Sequence, residues 1–293
     1  MKESLLKAIK DKNIVNVRKI LEKADNNEIK NILYYKNDNG QSPLLIAIIE
    51  NNIEIVRLLL DYTYKNNIKL ELNEKDKDGN YPLHEATYQS NVGIIRLLIN
   101  YANKNNIILN YNEKDEHGTY LLLIAVINNN IKIVQILMDY ANKNNFIINI
   151  NNKNEIGSYP FQVAVDNNKF KMVKLLMDYA NKNNIILNIN EKNYGSGYSP
   201  LMMAIDRNNI NMIKLLMDYA NENNIILEIN EKNDYNDFPL IMAIDKNYTK
   251  IIRLLMDYAN KNNTILEINQ KMEKMFIHFY WLFLIKILKL FIY

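Results

Sequence analysis

The sequence predicts an all-α fold, a solenoid of seven helix-turn-helix repeats with β-turn-like connections. Three observations predict it. A motif recurs with a period of 39 residues, which marks a stacked repeat array. Within each period, apolar residues fall at helical spacing in two runs separated by an Asn-rich break. Only 7 Gly and 5 Pro occur in 293 residues, too few turn residues for a fold of many short strands.

Three marks set the register. Asp-Tyr-Ala-Asn-Lys-Asn-Asn and its variants begin at Asp61, Asn100, Asp139, Asp178, Asp218 and Asp257. A Pro-Leu-like pair begins at Pro43, Pro82, Leu121, Pro160, Pro200 and Pro239, in steps of 39, 39, 39, 40 and 39. Four positions later stands a small residue, Ala47, Ala86, Ala125, Ala164, Ala204 or Ala243. Stepping back from Ala47 by one period reaches Ala8, with Leu5 in the place of Leu44. The expected division is a capping repeat over 1–36, with Lys2, Lys7, Lys10, Lys12, Lys19 and Lys23 on its polar surface. Six repeats follow over 37–75, 76–114, 115–153, 154–193, 194–232 and 233–271.

The second repeat shows why each element forms. Ser42 can cap a first helix, and Pro43 is tolerated in the first turn, where its missing N–H has no intrahelical partner. Leu44, Ala47 and Ile48 share one face, and Asn51-Asn52 ends the run. Ile53, Val56, Leu59 and Leu60 give a second helix its apolar side, and Leu70-Glu71-Leu72 alternates as an extended return. Asp76-Lys77-Asp78-Gly79 is a turn in which Gly79 is free to take positive φ.

Composition narrows the chemistry. The 36 basic and 33 acidic residues leave a net charge of +3, so no strong attraction to nucleic acid is implied. There is no Cys and only three His, His84, His117 and His278, which leaves few candidates for metal binding or nucleophilic catalysis. The 52 Asn fit either a low-complexity tract or an ordinary fold written in A/T-rich codons; the long period favours the second. Gly195-Ser196-Gly197 resembles a fragment of a phosphate loop, but it coincides with the 40-residue repeat, so a turn insertion explains it better. Tyr62, Tyr101, Tyr140, Tyr179, Tyr219 and Tyr258 could form an aromatic groove, although packing between neighbouring second helices is the simpler reading. Asp139, Asp178, Asp218 and Asp257 read as a solvated helix face. No catalytic constellation, metal site or cofactor motif emerges, and the expectation is a protein that is not an enzyme.

Gly79-Asn80-Tyr81-Pro82-Leu83-His84-Glu85-Ala86 followed by Ile94-Ile95-Arg96-Leu97-Leu98-Ile99 resembles the ankyrin repeat, in a long variant of about 39 residues. Gly40-Gln41-Ser42-Pro43-Leu44 with Ile55-Val56-Arg57-Leu58-Leu59-Leu60 matches as well. The family repeat is about 33 residues, and the excess here follows the Leu-Leu-Met/Leu run. The family Thr is Ser at Ser42 and Ser199 but aromatic at Tyr81, Tyr120, Tyr159 and Phe238, which implies lost helix caps worth about 1 kcal/mol each. The motif His survives at His84, where the family uses it for structural hydrogen bonds between repeats.

The resemblance implies a non-catalytic scaffold that binds another protein with its turn tips and the exposed side of its first helices. The family's contact positions fall on Lys77, Asp78, Asn80, Tyr88 and Gln89, then on Glu116, His117, Thr119, Ile127 and Asn128. In the later repeats they fall on Glu155, Ile156, Ser158, Asp166 and Asn167, then Tyr198, Asp206, Arg207, Asp245 and Lys246. Gln89 is expected at an exposed helix end. The partner is an unknown protein, not a nucleic acid, and a monomer in the cytoplasm is expected, since Met1–Asn13 is too short an apolar run for a signal peptide.

Residues 272–293 break the pattern. From Met275 they form a 19-residue apolar stretch containing His278, Lys286 and Lys289, close to the roughly 20 residues that span a bilayer. Three readings stand. The segment anchors the array in a membrane, the alternative function and location; it packs on the last repeat; or it is an eighth repeat translated in a slipped frame. The last is preferred. Shifted by one base, Met272-Glu273 must encode Gly, Met275-Phe276 Val, and Phe279-Tyr280 and Tyr280-Trp281 Leu. Ile277-His278 then permits a Pro and Trp281-Leu282 an Ala, each 39 residues after Pro239 and Ala243.

Overall fold

The computed structural model describes residues 1–267, so the anomalous segment 272–293 and its three readings lie outside the described residues. Every regular element among the described residues is a helix. The first repeat holds α1 (Lys2–Lys10), α2 (Ile14–Lys23) and α3 (Asn26–Leu33). Each later repeat pairs a seven-residue first helix with a 13-residue second helix. These are α4 (Pro43–Ile49) and α5 (Ile53–Lys65), α6 (Pro82–Tyr88) and α7 (Val92–Lys104), and α8 (Leu121–Ile127) and α9 (Ile131–Lys143). Then follow α10 (Pro160–Asp166) and α11 (Phe170–Lys182), α12 (Pro200–Asp206) and α13 (Ile210–Glu222), and α14 (Pro239–Asp245) and α15 (Thr249–Lys261).

The described residues form two compact units, one of Met1–Ala164 with Lys171–Leu187 and one of Val165–Phe170 with 188–267. In the first, α1 packs on α4, α4 on α6 and α6 on α8, while α2 packs on α5 and α5 on α7. In the second, α12 packs on α14 and α13 on α15. The core lies between the two helix layers, in residues such as Leu44, Ala47, Val56, Leu59, Ala86, Leu98, Ala125 and Leu137 of the first unit and Ala204, Leu216, Ala243 and Leu255 of the second.

The first repeat departs from the expected helix pair. The Asp25 carboxylate accepts from the Glu28 N–H at 2.8 Å and opens α3 where later repeats run extended. Ile29, Ile32 and Leu33 bury the inner face of that extra helix.

The Asn excess is positional. Asn52, Asn91, Asn130 and Asn209 cap second helices by accepting a first-turn N–H, as N-cap side chains do. At the other end, the Nδ2 of Asn66, Asn105, Asn144, Asn183, Asn223 and Asn262 donates to the Tyr carbonyl four residues back. The residue after each of these, Asn67 to Asn263, has positive φ, as do Asn51, Asn129, Asn168, Asn208 and Asn247 before the second helices. Asn is the non-glycine residue that tolerates this left-handed conformation best.

A further Asn in the second to sixth repeats, Asn73, Asn112, Asn151, Asn190 or Asn230, bonds the backbone of the next. The Asn73 side chain donates to the Ile108 carbonyl at 2.7 Å and accepts from the Asn110 N–H at 3.0 Å. Asn112 does the same with Ile147 and Asn149, and Asn230 with Ile265 and Glu267. In the first repeat Tyr34 stands at this position, and its hydroxyl donates to the Lys69 carbonyl at 2.6 Å. One carboxamide thus satisfies two backbone groups of an extended return, groups that regular strand pairing would otherwise have to satisfy.

The conserved spacing of the second-helix tyrosines has a related cause. Tyr101 and Tyr140 are buried, and their hydroxyls reach back 31 residues to the N–H of Leu70 and Leu109, at 3.0 and 3.3 Å. Tyr179 makes the same bond to Ile148 and Tyr258 to Leu227. These tyrosines therefore do not line an aromatic groove. They fill the helix layer and pair the backbone of the preceding return.

The aromatic residues in the Thr position behave similarly. Ser42 and Ser199 accept from Leu45 N–H and Met202 N–H at 3.2 and 3.4 Å, whereas Tyr81, Tyr120 and Phe238 make no capping bond. Their rings are fully buried instead. The Tyr81 and Tyr120 hydroxyls donate to the Asn110 and Asn152 carbonyls at 2.9 Å. The lost cap is offset by a long-range bond and by apolar burial of about 1.5–3 kcal/mol per large side chain.

Candidate functional site

Each turn is built on an Asx residue that sequence reasoning passed over. Asp76 Oδ1 accepts from the Asp78 and Asn80 N–H groups at 3.1 and 2.8 Å, while the Asp76 N–H donates to the Asn80 carbonyl at 2.8 Å. Asp115 repeats this with His117 and Thr119. Asn154 closes on Ser158, Asn193 on Tyr198 and Asn233 on Asp237. The signal was legible: Asp or Asn at a fixed place before each first helix is the side chain that templates an Asx turn. Gly79, Gly118, Gly157 and Gly197 supply the positive φ that completes the tip.

The structure sorts the expected contact residues into three groups. Lys77, Asp78, Glu116, His117, Glu155 and Ile156 stand exposed at turn tips of the first unit. Asn80, Thr119, Ser158 and Tyr198 are half-buried in the turn frame, so their backbone groups hold the tip. The others lie at the C-terminal ends of first helices, and several are tied to neighbouring repeats. Gln89 is not a free helix end: its Nε2 donates to the Ile49 carbonyl and to Glu85 Oε1, both at 2.7 Å. Asn128 Nδ2 donates to the Tyr88 carbonyl at 3.0 Å.

In the second unit the Arg207 guanidinium meets Asp166 Oδ1 at 2.9 Å, and Lys246 Nζ meets Asp206 Oδ1 at 2.6 Å. The hydrogen bond to Asp206 raises the Lys246 pKa. Asn167 and Asp245 are exposed. The first helices offer little else, because Ile46, Ile124, Met203 and Met242 in their middles are buried. The open face is therefore the tips plus the helix ends. Its apolar members are Tyr88, Ile127 and Ile156 in the first unit, 67%, 48% and 73% exposed, and the tip residues Tyr194 and Tyr235 in the second, 65% and 67% exposed.

The glycine-rich turn has no phosphate cradle. Ser196 gives its carbonyl to the Asp234 N–H at 3.2 Å, and a Cβ at Gly197 would meet Asp234 Oδ1 and N at 2.5 and 2.8 Å. A carboxylate at that place repels an anion. Among the described residues, no group of three or more His, Asp and Glu is placed to hold a metal ion, and no helix is long and apolar enough to cross a membrane.

His84 is buried, its ring tilted over Tyr81 at 5.6 Å and its Nε2 3.4 Å from Asp115 Oδ2 of the next turn. Burial lowers its pKa, partly countered by Asp115, Glu85 and Asp76. The folded-state pKa lies below the ordinary 6.5, so the unfolded chain takes up the proton first as pH falls. Stability from this group is complete above about pH 6.5 and declines below it, down to the folded pKa. We expect the thermal midpoint to drop between pH 7.5 and 5.5 more in the wild type than in His84→Gln. Parallel pH profiles would show that His84 does not contribute to the slope.

The family model described as Ankyrin repeats (3 copies) matches the chain over 5–108, 66–147, 103–186, 122–225 and 163–265. Among solved structures, the ankyrin repeat domain of Bcl-3, a member of the IkappaB protein family, is similar. It has 23% identity and a TM-score of 0.61, with 85% of this chain and 97% of that chain covered. An ankyrin repeat domain from Acinetobacter baumannii AYE aligns at 20% identity and a TM-score of 0.57, covering 74% and 97% of the two chains. No curated protein sequence matches.

Proposed function

The chain belongs to the ankyrin repeat family, and from that premise we propose that it is a non-catalytic scaffold binding a partner protein through turn tips and first-helix ends. One observation carries the reading. Framework positions are occupied by nearly invariant Asn, Tyr and Ala, while the exposed tip and helix-end positions change from repeat to repeat: Lys77, Glu116 and Glu155 at one, Tyr88, Ile127 and Asp166 at another. Large apolar side chains left in water at those positions have a use if a partner covers them. Residues 1–36, with Lys2, Lys7 and Lys10 exposed on α1, serve as the polar cap such an array needs at its end. The reading also takes a cytosolic monomer as the working form. The membrane-anchored alternative depends on 275–293, outside the described residues.

A photo-crosslinking residue at position 88 tests the reading in cells that make the protein. Tyr64 on α5 is also exposed, at 53%, and provides the control position. Crosslinks to another protein from position 88 and not from position 64 are expected. Equal yields from both positions, or none from 88, would remove the assigned face.

A further inference from the structure

The two units present different chemistry at the assigned face. In the first, the exposed tip residues are Asp38, Asn39, Lys77, Asp78, Glu116, His117, Glu155 and Ile156, four acids against one lysine. Of the lysines just before the tips, Lys36 and Lys75 are paired sideways with Glu74 and Glu113, each at 2.8 Å, and the Lys114 Nζ is turned to the Lys153 carbonyl at 2.9 Å. One period apart at the helix ends stand half-buried Ile49 and exposed Tyr88 and Ile127. The Ile49 and Tyr88 carbonyls beside them already accept from Gln89 and Asn128, so the stripe offers apolar surface rather than open acceptors. In the second unit the helix-end acids Asp166 and Asp206 are matched by Arg207 and Lys246 while Asp245 is exposed, and the tips hold Tyr194, Gly195, Ser196, Asp234 and Tyr235, with one acid between them.

Resting on the scaffold reading above, we propose that the face of the first unit takes a basic amphipathic segment of a partner. Its Lys or Arg side chains meet the acidic tips Asp38, Asp78, Glu116 and Glu155, and its apolar side covers Tyr88 and Ile127. A seven-residue helix is about 10 Å long, which separates tip from stripe by the width of one helix. An amphipathic helix can therefore turn one face to each. Opposite charge across such a face sets partner choice and encounter rate.

The test uses the full chain and two synthetic 18-residue probes, a Leu/Lys amphipathic helix and its Leu/Glu twin, in fluorescence anisotropy. The chain as a whole carries +3, so non-specific attraction favours the acidic twin. We expect the Lys probe to bind at least about 10-fold tighter, and to weaken several-fold as salt rises from about 50 to 500 mM, because exposed charges are screened. The double variant Asp78→Lys/Glu116→Lys should lose about 10-fold or more, and Asp218→Lys, at an exposed position of α13 away from the assigned face, should change little. Equal binding of the two probes, or equal loss in both variants, overturns the proposal. An unchanged thermal midpoint confirms that the variants are folded. If crosslinking at position 88 succeeds and this test fails, the scaffold stands and only the partner chemistry falls.

Discussion

Leu98→Ala should lower the unfolding free energy by about 2–5 kcal/mol. Leu98 lies in the middle of α7, fully buried, as are its counterparts Leu59 in α5 and Leu137 in α9. α7 packs both on its own first helix α6 and on the neighbouring second helix α5. Truncation removes contacts within the repeat and between repeats, and the flanking framework is pinned by Asn and Tyr bonds, which limits collapse into the cavity. Lys77→Ala, at an exposed tip, should change stability by about 0.5 kcal/mol or less. Gln89→Ala falls between them: the helix-end position suggests a neutral change, but losing the bond to the Ile49 carbonyl costs about 1 kcal/mol. Urea denaturation of the three variants gives the order. Equal effects for Leu98 and Lys77 would mean that the inward face is misassigned.

The repeat register, the helix pair and the turn were legible because they depend on residues close in sequence. Pro43 at a helix start, Ala47 four positions later and Leu59 on the second helix each act within one repeat. What escaped is the chemistry that links residues about 31 to 41 positions apart. Asn73 reads as a polar loop residue until its carboxamide is found on the backbone of Ile108 and Asn110. Arg207 and Asp166 were both identified as contact residues, but not that they meet each other, because 41 positions separate them and only the stacking brings them together. The aromatic substitutions at Tyr81 and Tyr120 read as lost caps, since the carbonyls that receive their hydroxyls belong to the next return. The extra helix α3 was missed for a different reason: Asp25 and Glu28 form a capping pair too short to outweigh the register of the other repeats.

Tyr101→Phe isolates this long-range chemistry from packing, because only an oxygen is removed. The Tyr101 hydroxyl donates to the Ile68 carbonyl at 3.0 Å and accepts from the Leu70 N–H at 3.0 Å, with Thr63 Oγ1 at 3.4 Å. Ile68, Leu70 and Thr63 are all buried, so water cannot replace the lost partner without opening the return. Two stranded backbone groups at about 1–3 kcal/mol each give an expected loss of about 2–6 kcal/mol, comparable with deleting most of a core leucine. Thr63 keeps its bond to the Leu60 carbonyl at 2.8 Å and should add little. Tyr62→Phe removes one hydroxyl bond, at 2.6 Å to the Leu21 carbonyl, from a half-buried residue, and should cost about 1 kcal/mol. Urea midpoints give the two energies, and amide exchange locates the effect, since the Leu70 amide should lose protection in Tyr101→Phe while amides in the middle of α9 keep theirs. A Tyr101→Phe protein as stable as the wild type, with Leu70 still protected, would show that apolar contact alone holds the return to the helix layer.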